Sequence, residues 1–243
     1  MTLASDLLAS PGTVLDDLVL ANHILFREQV LDGYGHVSVR HPGDPSRFVM
    51  SQSKAPGTVT RDDLLLYDLE GEAIDAPGRK LYLERYIHSA VYRERTDVMA
   101  VVHSHSPAVI PFGITAAPLQ AVCGVCGFLG VHVPVFEIRD AAGPATDLLI
   151  RSQALGLAMV RALGGAPVVL LRGHGSTAVG NSIAQAVYRA IYTEVNARLQ
   201  ADAMRLGAVN YLTAEEAAAA SATNDGVISR IWDLWKARTL ASA

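Results

Sequence analysis

Cysteine is nearly absent: only Cys123 and Cys126 occur in 243 residues. Two thiols this close cannot staple a chain of this length, which excludes a secreted disulfide scaffold. Charge is also scarce, with 18% of residues charged, a formal net charge of −4 and no basic run. That balance argues against nucleic acid and anionic membrane surfaces as partners. The longest stretch without charge, residues 107–136, is broken by Pro107, Pro111, Pro118 and Pro134, so it does not read as a membrane helix. Met1 to Pro11 has no cationic segment ahead of its apolar residues, so no secretory signal is expected and the cytoplasm is the expected compartment.

What is present is apolar: 50% of the residues are hydrophobic, enough for a sizeable core. Residues 14–30 read as an amphipathic helix with Leu15, Leu18, Ile24 and Leu25 among its apolar positions, stopped by Asp32-Gly33-Tyr34-Gly35. Short strand-like pieces follow at 36–40, 48–51 and 64–69. Residues 81–95 read as a helix with Leu83, Ile87 and Ala90/Val91 on its core face. Strands are expected at 98–103, 131–136 and 168–171, and helices at 152–163 and 182–206. Thr213 and Glu216 have the spacing of a capping box before an alanine-rich segment, and Trp232 and Trp235 are expected to pack a last helix. No repeat or linker stands out, and regular βαβ alternation is missing. The pattern predicts one α/β domain over residues 1–243 with a mixed or antiparallel sheet.

The strongest chemical signal is His103-Ser104-His105 after an apolar β-type run. Residues i and i+2 of a strand project to one side, so both imidazoles can face one metal ion; two ordinary polar histidines are the alternative. His174, flanked by Gly173 and Gly175 at the end of another apolar strand, is the third candidate ligand, or else an incidental turn residue. Three histidines leave open positions on a metal, which is the catalytic pattern. Glu84 lies one helical turn before His88, on a face separate from the Leu83/Ile87 stripe; it either returns to the metal or belongs to a solvated helix surface. Cys123-Gly-Val-Cys126 has redox spacing but lacks the strand–CxxC–helix context, and small residues lining a pocket wall are the better reading.

Taken together, Gly35-His36-Val37-Ser38, the Glu84 segment, His103-Ser104-His105 and Arg172-Gly173-His174-Gly175 resemble the class II aldolase/adducin family in order and spacing over roughly residues 15–212. The resemblance implies a three-layer α/β/α sandwich around a central, mostly antiparallel sheet, with a C-terminal helical extension. It implies His103, His105 and His174 as ligands of one divalent ion per subunit (zinc, manganese, iron or cobalt) and Glu84 as catalytic acid/base. It also implies a homotetramer or larger homo-oligomer with active sites between subunits, where Tyr211 is a candidate to reach a neighbour's site.

The sequence departs from the family's sugar-phosphate aldolases. His36 stands where those enzymes carry Asn, and Tyr82 and Leu83 replace two serines before the Glu, so the phosphate pocket is dismantled. His36, Ser38, Lys54, Arg85 and His88, with Arg79 and Lys80 nearby, become candidates for holding a carboxylic acid. Glu84-Arg85-Tyr86-Ile87-His88, His103-Ser-His-Ser-Pro107 and Ile138-Arg139-Asp140 are similar to the family's decarboxylase branch, which acts on hydroxylated aromatic diacids such as 3,4-dihydroxyphthalate and 3-hydroxy-2-methylpyridine-4,5-dicarboxylate. The expected activity is loss of CO₂ from such a diacid, with Glu84, its pKa raised by apolar surroundings, returning a proton. An aldolase acting on a non-phosphorylated hydroxy-keto acid is the alternative. An adducin-like assembly module is a third reading, opposed by the retained histidines.

Overall fold

In the computed structural model, which describes residues 14–241, an eight-stranded sheet forms the centre of the molecule. The expectations for Met1 to Pro11 lie outside the described residues. The strands are β1 (His36–Arg40), β2 (Arg47–Ser51), β3 (Leu64–Asp68), β4 (Ala73–Ile74), β5 (Ala100–Ser104), β6 (Val135–Phe136), β7 (Val168–Leu171) and β8 (Gly175–Gly180). Their order is β4-β3-β2-β1-β5-β8-β7-β6. Every neighbouring pair is antiparallel except β6 and β7.

Alternation along the strands feeds two apolar layers. On one face Val37, Val39, Val102, Leu170 and Ala178 pack against helices α1 (Val14–Arg27), α5 (Ile183–Leu206) and α7 (Ile228–Leu240). Trp232 and Trp235 enter that layer, as expected for the last helix. On the other face Phe48, Met50, Val101, Val169 and Val179 pack against α2 (Arg85–Glu94) and α4 (Gln153–Leu163). The short helix α3 (Arg139–Ala142) precedes α4, and α6 (Ala214–Asp225) opens with the Thr213/Glu216 capping box. The result is the α/β/α arrangement around a mostly antiparallel sheet. No helix of the described residues is long and apolar enough to cross a membrane.

Several local expectations change. The helix expected over 81–95 begins only at Arg85, with Glu84 as its N-cap. Leu83 therefore precedes the helix, is 57% exposed and does not belong to the core stripe. Strand β8 escapes a reading by β-propensity because Gly175-Ser-Thr-Ala-Val-Gly180 is made of small residues. Packing explains that composition: a Cβ on Gly175 would collide with the Ser104 carbonyl of β5. Cys126 lies in the apolar layer of α1, α5 and α7, and Cys123 packs against it. Both are free thiols at the start of the 3₁₀ turn Gly124–Leu129, and Cys126 is buried in the helical layer.

Candidate active site and metal centre

The histidines meet because the antiparallel register delivers them to one edge of the α2 face. His36 of β1 pairs across the sheet with His103 of β5, and Ser104 pairs with Ser176 of β8. His105 continues the chain two residues beyond His103, on the same side. His174 sits in the tight turn from β7 to β8. Gly35, with φ +83°, turns the chain into β1 where a Cβ would meet Leu31 and the His103 carbonyl.

The Nε2 atoms of the three histidines converge. His105 Nε2 lies 3.2 Å from His103 Nε2 and 2.8 Å from His174 Nε2. Glu84 Oε2 is 3.5 Å from His103 Nε2 and 3.4 Å from His174 Nε2. One ligand atom from each of these four residues falls within 4.8 Å of the others. His103 Nδ1 is 3.1 Å from the Ser176 carbonyl, and His174 Nδ1 is 3.1 Å from the Leu148 carbonyl. A carbonyl only accepts, so both Nδ1 atoms carry the proton and both Nε2 atoms present lone pairs. His105 can donate to only one of them. Lone pairs aimed at a common point are poor neighbours for each other and a good donor set for a divalent cation. The residues thus fit the ion that their chemistry suggests.

Electrostatics agree with neutral ligands. Burial first, and then the neighbouring His103, push His105 and His174 down to about 4. Burial works to raise the Glu84 carboxyl, but His103, His174 and the Ile150 amide outweigh it and bring it down to about 2. This corrects the expectation of a raised Glu84: at neutral pH it is a carboxylate. Its Oε1 accepts the Ile150 N–H at 3.0 Å, leaving Oε2 toward the histidines. Glu84 is not on a solvated helix surface; it is 7% exposed.

A cleft of about 430 Å³ opens beside this cluster, with Tyr34, His36, Lys54, Tyr82, Glu84 and His105 in its wall. Other candidates take other places. His88 and Ser38 are buried behind His36, joined to it through hydrogen bonds, and do not line the cleft. Arg85 is turned away, donating to the Gly71 carbonyl at 2.6 Å and to Tyr86 at 2.7 Å. Arg79 donates to the Asp62 carbonyl. The Lys54 ammonium is engaged by Asp63 at 2.6 Å, so its charge is already partnered at the cleft wall. Tyr211 approaches Gln200 at 3.3 Å and lies outside the cleft within the same chain. Sequence reasoning missed Tyr34, which had served only as part of a helix stop. It is 69% exposed and stacks near His105 with ring centroids 5.9 Å apart. Its glycine neighbours were the available signal, since they mark a segment able to approach a ligand closely.

The chain is similar in sequence and fold to known proteins. Decarboxylase tropJ of Talaromyces stipitatus is 38% identical over 237 residues, covering 88% of this chain and 89% of the relative. A 3,4-dihydroxyphthalate decarboxylase of Terrabacter sp. is 34% identical, covering 77% of this chain and 80% of the relative. An aldolase II superfamily protein of Pseudomonas syringae superposes with a TM-score of 0.78 at 22% identity, covering 97% of this chain and 96% of its own. The model of the class II aldolase and adducin N-terminal domain matches residues 16–201. By sequence and fold, the chain belongs to the class II aldolase and adducin N-terminal domain family.

Proposed function

We propose that this chain is a divalent-metal-dependent decarboxylase of a hydroxylated aromatic diacid such as 3,4-dihydroxyphthalate. The observation that carries the reading is the convergence of three imidazole Nε2 atoms and the Glu84 carboxylate beside a cleft with aromatic walls. The likeness to tropJ and to 3,4-dihydroxyphthalate decarboxylases supports decarboxylation over aldol cleavage. His103, His105 and His174 would hold the ion (zinc, manganese, iron or cobalt), and when bound it supplies a Lewis acid for the electrons released as the carbon–carboxylate bond breaks.

The protein's own groups do the rest. Glu84, ionised at neutral pH, takes the proton of the substrate hydroxyl at Oε2. After CO₂ leaves, the same oxygen returns that proton to the ring carbon, so the carboxylate acts first as base and then as acid. Tyr34 offers an exposed aromatic face to the substrate ring. His36 and Lys54 border the space left for the second carboxylate. The reading extends to a cytoplasmic homotetramer or larger homo-oligomer, with Tyr211 contributed to a neighbouring subunit's site.

The test is CO₂ release from 3,4-dihydroxyphthalate by metal-reconstituted protein, with His103→Ala as control. Metal-dependent release is expected from the wild type and not from the variant. No release across a panel of hydroxy-diacids would overturn the proposal. The alternative, an aldolase for a non-phosphorylated hydroxy-keto acid, uses the same metal site and Glu84. Tyr82 and Leu83 in the cleft wall do not exclude it, because such a substrate needs no phosphate grip.

A further inference from the structure

Behind the cleft, four buried side chains form one hydrogen-bonded line. His36 Nδ1 lies 2.6 Å from His88 Nε2. His88 Nδ1 lies 2.6 Å from Ser38 Oγ, and Ser38 Oγ lies 2.8 Å from the Tyr92 hydroxyl. Ser38 and His88 are fully buried, and Tyr92 and His36 nearly so. The line crosses from β1 to α2 and back. It is held there by Arg40, which donates to the Tyr92 carbonyl at 2.7 Å and lies over its ring at 4.8 Å. None of this is needed to place the metal ligands, so the chain calls for a separate account.

Counting protons gives it a direction. Two imidazoles sharing a short bond in a dry interior are neutral, so each carries one N–H. If His36 donated to His88, His88 would donate to Ser38 and Ser38 to Tyr92. The phenol proton would then have no acceptor, because Ser38 Oγ is the one hydrogen-bond partner of that hydroxyl among the described residues. A buried donor left unpaired loses its bond to water and gains nothing in return. In the opposite direction each of the three protons inside the line finds an acceptor: Tyr92 donates to Ser38, Ser38 to His88 Nδ1, and His88 Nε2–H to His36 Nδ1. His36 must then carry its own proton on Nε2. No described residue accepts from that atom, and His36 borders the cleft, with its ring 4.6 Å from Tyr82 and 5.0 Å from His103.

We infer that Tyr92, Ser38 and His88 are positioning residues that lock His36 in the Nε2–H tautomer, making it a neutral hydrogen-bond donor to a carboxylate oxygen of the substrate rather than a fourth metal ligand. The substrate part of this inference rests on the proposed decarboxylase reading; the tautomer does not. A locked donor discriminates in favour of ligands with an acceptor at that point. A ligand group that only donates would meet an N–H head on.

The test is a two-bond ¹H–¹⁵N correlation spectrum of the zinc-loaded protein labelled in histidine, with His36 and His88 assigned through His36→Gln and His88→Gln. Both rings are expected as Nε2–H tautomers. An Nδ1–H signal for His36 overturns the inference, whether or not the protein releases CO₂. His88→Gln, whose side-chain amide can offer His36 Nδ1 either an N–H or a carbonyl oxygen, should show mixed tautomers at His36. It should also weaken 3,4-dihydroxyphthalate binding by about threefold to tenfold, the loss of roughly one hydrogen bond, at unchanged zinc stoichiometry. Wild-type affinity in the presence of mixed tautomers would overturn the positioning role. Failure of the wild type to bind this diacid, with the tautomers as expected, would count against the decarboxylase reading and leave the donor chain standing.

Discussion

His103 Nδ1 faces the Ser176 carbonyl at 3.1 Å, and this one contact aims the opposite nitrogen of the ring at His105 and Glu84. The β5–β8 pairing that places Ser176 opposite Ser104 is therefore also the device that orients a ligand. A backbone carbonyl does this work more rigidly than a side chain, because the sheet holds it.

Removing a ligand should abolish tight metal retention. His174→Ala is expected to lower metal affinity by more than about tenfold while the chain still folds, since the side chain belongs to a turn and not to the apolar layers. Metal content per chain after dialysis, with circular dichroism of the same sample, measures both. Full stoichiometry in the variant would count against His174 as ligand.

Glu84→Gln keeps the size and the Ile150 contact but cannot carry a proton away from the substrate. Turnover should fall by about 10²–10⁴-fold with metal content nearly unchanged. A variant within a few-fold of wild type would remove Glu84 from acid/base chemistry.

Tyr34 contributes an exposed ring to the cleft and is not part of either apolar layer. Tyr34→Ala should leave the thermal midpoint nearly unchanged and weaken binding of an aromatic acid by roughly 0.5–1.5 kcal/mol, about twofold to twelvefold. Calorimetric titration with an aromatic and an aliphatic diacid separates stacking from charge, because only the first should respond.

Acid should destabilise the metal-free protein before the ordinary carboxylates titrate. His88 is held near 3, and His105 and His174 near 4, chiefly by burial, all below the ordinary 6.5. Between those values the unfolded chain binds more protons than the folded one, so stability falls as pH drops from about 6.5 toward 4. Glu84, held near 2, adds a loss of the same sign below its ordinary 4.5. Urea midpoints measured from pH 7.5 to 4 should decline on the acid side, and metal at a hundredfold excess over Kd should raise the unfolding free energy at pH 7 by about 2.7 kcal/mol. A flat profile would contradict the buried neutral imidazoles.

Gly175→Ala tests the packing that narrows β8. The added methyl meets the Ser104 carbonyl, which is sheet backbone and cannot swing aside. The expected cost is about 1–3 kcal/mol in chemical denaturation, with a parallel loss of metal because His174 and Ser104 flank the same junction.

Much of this site is legible one segment at a time. A strand has a period of two, so His103 and His105 share a side wherever that strand lies. The glycines around His174 mark a tight turn at a strand end. Glu84 was harder, because the start of a helix is set by capping and packing more than by apolar spacing. Shifting the start from residue 81 to Arg85 moved Leu83 out of the core and Glu84 from a helix face to its first cap.

The amino-acid order by itself determined the mixture of helices and strands, the His-x-His pair and the glycine-flanked third histidine, because each depends on neighbours in the chain. Only the tertiary structure decided that residues 36, 84, 103, 105 and 174 share one space, that Ser38 and His88 stand behind His36 rather than in the cleft, and that Arg85 faces away. Strand order and cross-strand register set those relations, and contacts between residues fifty or more positions apart leave no periodic trace in a single sequence.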